Sequence, residues 1–99
     1  MTENQLIEAL YKVKDTDRTI KVYRHSENVT GVYMAPNQPI LYNVDVEAYF
    51  YAFQKHVENN HLDYELVSTR RQVKERELGN SDEAYETTYW KDGKVVGEV

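Results

Sequence analysis

The 99-residue chain has no cysteine, only two prolines and four scattered glycines. It also has no apolar run approaching the roughly 18 residues that a membrane helix needs. Without cysteine there is no disulfide framework, thiolate nucleophile or thiol redox chemistry. Gly31, Gly79, Gly93 and Gly97 are never clustered, so the sequence holds no glycine-rich loop of the kind that cradles phosphate or a dinucleotide. None of Ser26, Ser68 and Ser81 has the glycines on both sides that a hydrolase nucleophile elbow requires. His25, His56 and His61 lack the i, i+4 spacing that aims two imidazoles at one metal, so neither a metal nor another cofactor is expected. With 17 acidic residues, carboxylate pairs arise by chance and assign no catalysis, so the chain reads as a non-enzyme. Met1-Thr2-Glu3-Asn4 opens without a basic stretch leading into an apolar one, so no secretory signal is expected and the cytoplasm is the default compartment.

What is present is an ordinary globular composition, 40% hydrophobic and 29% charged, with a formal charge of -5. It is consistent with a single domain over residues 1–99 that buries one core. Nine of the aromatic residues are tyrosine. Tyrosine covers apolar surface while its hydroxyl stays wet, which suits half-buried strands and contact surfaces.

Thr2 with Gln5 has capping-box spacing, and Leu6, Leu10 and Val13 fall on one helical stripe flanked by Ile7 and Ala9, so the pattern predicts a helix over 2–14. Residues 19–25 and 29–35 read as a hairpin, and Ile40-Leu41-Tyr42 after Pro39 as a short strand at an edge. Val46, Phe50, Phe53 and Val57 predict a second helix over about 44–60, capped by Asn43 or Asp45 and ended by Asn59-Asn60 in a left-handed cap. Residues 64–67 look extended. Over 68–78 neither period fits, and the basic stretch facing the acids of 82–86 across Gly79-Asn80-Ser81 favours a hairpin. Asp92-Gly93 marks a tight final turn. The expected class is therefore α+β, with two helices on one face of an antiparallel sheet in the order helix, two or three strands, helix, three strands.

Charge is blocked along the chain: residues 45–69 carry -4, 70–76 carry +3 and 77–92 carry -4. Glu47, Tyr51, Gln54 and Glu58 read as the outer face of the second helix, an exposed tyrosine in an acidic field. Glu83 and Glu86 add acids on a C-terminal strand. Together these six residues are the expected contact surface for a protein partner with a basic surface, a nucleic-acid-handling protein being one such partner. In size, acidity and mixed element order the chain resembles the small inhibitors that phages and mobile elements encode, a likeness that no motif carries. The alternative is a nucleic-acid-binding module using Arg70, Arg71, Lys74 and Arg76, with Tyr64, Tyr89 or Trp90 as stacking platforms. An acidic chain opposes that alternative, and pairing of the basic strip with the 82–86 acids is preferred to nucleic-acid contact. A homodimer through the final strand remains open.

Overall fold

Strand β1 (Gln5–Val13) occupies the segment whose spacing suggested a helix, and it is the central strand of the protein. In the computed structural model, which describes residues 5–72 and 85–98, β2 (Thr19–Ser26), β3 (Val29–Tyr33) and β4 (Ile40–Tyr42) continue from it as an antiparallel meander. Helix α1 (Val46–Asn59) follows, and then β5 (Tyr64–Gln72) returns to pair with the other side of β1. β6 (Tyr85–Lys91) and β7 (Lys94–Glu98) complete one seven-stranded antiparallel sheet in the order β4-β3-β2-β1-β5-β6-β7. Among the described residues there is one helix rather than two, so the two-helix α+β expectation is overturned: the architecture is mostly β.

The mistaken helix has a physical cause. Leu6, Ala9 and Tyr11 are the buried residues of β1, a spacing of three and then two. The register shift between Leu6 and Glu8 leaves Ile7 as an extra residue in β1. Leu6 thereby shares a face with Ala9 and Val13, an i, i+3, i+7 spacing that imitates a helical stripe, whereas Leu10 faces the other way beside Lys21. Residues 64–67 are extended as expected, and 68–72, where no period fits, continue the same strand; a separate bulge in it leaves Val67 extra, with Leu10 facing Ser68 and Tyr11 facing Leu66.

Helix α1 forms where its apolar stripe predicts. Asp45 caps it, Oδ2 accepting from Glu47 N at 3.0 Å and Ala48 N at 3.4 Å. Its end differs from expectation. Asn60 is not left-handed (φ -105°); His61 takes the positive φ of 51°, and Leu62 N donates to Val57 O while His61 N donates to Glu58 O. The final hairpin matches its sequence signal, with Asp92 and Gly93 both at positive φ between paired Lys91 and Lys94.

The core lies between α1 and the β1–β3 half of the sheet. Leu6, Ala9, Tyr11, Ile20, Val22 and Val46 are buried, with Phe50 and Phe53 packed on them. Tyr42, Tyr49, Phe53 and Tyr64 form a stacked column, centroids 5.1, 6.0 and 6.1 Å apart, that runs from β4 through the helix to β5. Tyr11 meets Phe53 edge-on at 4.9 Å. Thr30, fully buried, donates its hydroxyl to Val44 O at 2.8 Å and ties the approach to the helix onto β3. No helix among the described residues is long and apolar enough to cross a membrane.

Candidate functional site

Helix α1 runs along β1. Its first turn meets the Leu6 end through Glu47, and its far end meets the Val13 end, where Lys14 N donates to Asp63 O at 2.8 Å. Because α1 packs mainly on β1, β2 and β3, it covers only half of its side of the sheet. Over β5 and β6 an open groove of about 800 Å³ remains. Phe50, Gln54, Val57 and Glu58 of the helix form one wall, and Leu66, Thr69, Arg71, Thr88 and Trp90 of the strands form the floor. Trp90, the single tryptophan of the chain, donates Nε1–H to Thr69 Oγ1 at 3.1 Å, which fixes the indole as part of that floor.

The groove is asymmetric in charge. At the end where the helix stops and β5 begins, Glu58, Asp63 and Asp92 line it with Lys14, whereas Arg71, toward the other end, is held by Glu47. A mixed lining, in which Phe50, Leu66 and Trp90 supply apolar surface among Thr69, Thr88 and the charged groups, is the usual character of a binding cleft. The described residues hold no group of three or more His, Asp or Glu side chains placed to bind one metal ion.

The expected contact residues do not behave as one outer face. Tyr51 is 65% exposed and points away. Glu47 instead accepts from Leu6 N–H at 3.3 Å and from Arg71 at 3.4 Å, so it fastens the helix to β1 and β5. Gln54 accepts from Tyr11 OH at 2.6 Å and donates to Glu58 at 2.8 Å. At 100° per residue these positions sit on the flank beside the apolar stripe, not opposite it, and that flank overlooks the groove. Glu86 is exposed on β6 with Arg71 as its register partner.

The basic strip is divided. Arg70 and Arg71 are neighbours on a strand and therefore point to opposite faces: Arg71 toward α1, Arg70 away from it, its guanidinium 4.8 Å from the Tyr85 ring centroid. Of the three aromatic residues considered for base stacking, Tyr64 belongs to the aromatic column and Trp90 to the groove, while Tyr89 lies on the opposite face. Lys74, Arg76, Glu83, the proposed cap Thr2 and the 79–81 turn lie outside the described residues.

Burial of Tyr11 pushes its phenol well above the ordinary range, and the negative charge of Glu58 adds to this. Tyr49 is raised too, through burial and then through Tyr42. Both phenols therefore stay neutral, and Tyr11 acts as a structural donor to Gln54. Sequence reasoning missed the groove because Phe50, Leu66 and Trp90 come from three separate segments with no shared local pattern. Comparison with protein-family models, curated proteins and solved structures returns no match for this chain.

Proposed function

We propose that the chain is a non-catalytic interaction protein whose groove takes an extended segment of a partner protein, apolar along the floor and basic at the Glu58 end. The observation that carries this reading is the pairing of a Trp90, Leu66 and Phe50 surface with the carboxylates of Glu58, Asp63 and Asp92 in one cleft. Apolar contact supplies affinity, while acids at the rim select for arginine or lysine and reject acidic segments. The reading keeps the basic partner expected from the charge of the chain and moves the contact from the outer helix row into the groove. A nucleic-acid-handling protein presents such basic segments, and occupying one would block its phosphate contacts, the mode of action of a small inhibitor.

Two fluorescein-labelled peptides test it, one alternating leucine with arginine and one alternating leucine with glutamate, read by anisotropy. The arginine peptide binds and the glutamate peptide does not. Glu58→Lys combined with Asp63→Lys weakens the arginine peptide about tenfold or more, as expected when rim attraction becomes repulsion. Equal binding of the two peptides, or an affinity that ignores the charge reversal, rejects the reading.

A further inference from the structure

The face of the sheet turned away from α1 has a different chemistry from the rest of the molecule. Strand alternation and register place Tyr23, Tyr33, Tyr85 and Tyr89 on it. Tyr23 leans across β3 so closely that a Cβ at Gly31, its register partner, would lie 2.4 Å from Tyr23 Cζ. On the far side of the sheet Tyr89 is likewise opposite a glycine, Gly97, where a Cβ would meet the ring at 3.9 Å. Tyr89 is 43% exposed, and Tyr23 is half-buried with His25 edge-on to it at 6.3 Å. Arg70 adds a guanidinium plane over Tyr85.

Charge follows the same division. Among the described residues this face carries Lys12, Lys21, Arg70, Lys91 and Lys94 against Glu8 and Glu65, although the chain as a whole is at -5. Glu8 is 3.8 Å from Lys21, Glu65 also borders the groove, and Glu58, Asp63 and Asp92 line the groove at the helix side. At a screening length of about 8 Å in physiological salt, a ligand on this face feels the local cations more than the distant acids. Flat aromatic rings alternating with cations on an open sheet provide the two things that single strands require, stacking surfaces for unpaired bases and neutralisation of the backbone.

From this juxtaposition we infer that the uncovered sheet face binds single-stranded nucleic acid, with Tyr23 and Tyr89 as stacking surfaces and Lys21, Arg70 and Lys91 as phosphate contacts. A duplex is disfavoured because its bases are not free to stack. The inference is independent of the groove, which lies on the other side of the sheet.

Fluorescein-labelled oligo(dT) and oligo(U) of twelve nucleotides, titrated with the protein at low salt, test it by anisotropy. Saturable binding is expected, weakening steeply as salt rises. Tyr23→Ala removes a stacking surface, and Gly31→Ala displaces the same ring by filling the space beneath it, so each weakens binding at least fivefold. Tyr51→Ala, on the exposed side of α1, leaves it unchanged. If Tyr23→Ala fails to fold by circular dichroism, Tyr89→Ala on the far hairpin gives the same readout. Absence of binding at low salt overturns the inference. So does an affinity that the tyrosine variant leaves intact, or competition by dextran sulfate as effective as competition by oligo(dT), because either result means that charge alone attracts the strand.

Discussion

Replacing Tyr11 with alanine is expected to lower the unfolding free energy by about 4 kcal/mol, the middle of the range for deleting a buried aromatic side chain. Tyr11 is the largest fully buried residue among those described, sits on the central strand, packs edge-on against Phe53 and donates to Gln54. Alanine leaves a cavity beneath the aromatic column and removes the donor to the Gln54 carbonyl oxygen. Against a total of about 5–15 kcal/mol for a domain, such a loss brings the chain near its unfolding threshold at room temperature. Urea unfolding followed by circular dichroism measures it. Tyr11→Phe keeps the ring and loses the hydroxyl, so its cost is about 1 kcal/mol.

The phenylalanine variant also has a signature in pH. Burial, and secondarily Glu58, raise the Tyr11 pKa in the folded state, whereas the unfolded phenol titrates near 10. The folded protein therefore binds that proton more tightly. The corresponding stability is fully present below about pH 10 and falls as pH rises above it. Tyr11→Phe lacks this component, so its deficit against the parent chain shrinks on alkaline titration through that window. The decline that remains in the variant includes the contribution of Tyr49, whose pKa is raised in the same direction.

Trp90→Ala is the variant expected to affect binding most. It removes the indole from the groove floor and frees the Thr69 hydroxyl, so the arginine peptide should bind between tenfold and a hundredfold more weakly, as for an aromatic anchor at an interface. Because Trp90 is only half-buried, the fold loses much less than it does at Tyr11. Trp90→Phe keeps part of the apolar floor and lies between the parent and the alanine variant. Isothermal titration beside a urea curve separates the two effects: affinity falls while the unfolding midpoint moves little.

Regular elements were legible from sequence and irregular ones were not. Val46, Phe50, Phe53 and Val57 recur at an undisturbed helical period behind the Asp45 cap, and Asp92-Gly93 defines its turn through two adjacent positive φ values. β1 was misread because the bulge at Ile7 puts Leu6 on one face with Ala9 and Val13, three and seven residues on, as a helix would, although Leu10 of the same stripe faces the other side. The orientation of the helix row was misread for a geometric reason: Glu47, Gln54 and Glu58 flank the stripe, and only the packing of α1 over one half of the sheet determines what that flank overlooks. One signal for the opposite face was present in the sequence. Tyr23 precedes Gly31 by the same interval as Tyr89 precedes Gly97, and in both hairpins the two residues become register partners.

The central claim, that the cleft between α1 and β5–β6 is where a partner segment binds, is tested most directly by the emission of Trp90 during titration with the arginine peptide. As the only tryptophan, Trp90 reports the groove floor without a label. Occupancy should shift its emission to shorter wavelength, with the same midpoint as the anisotropy of the peptide. A peptide that binds by anisotropy while Trp90 emission stays constant would place the contact elsewhere on the molecule and contradict the account.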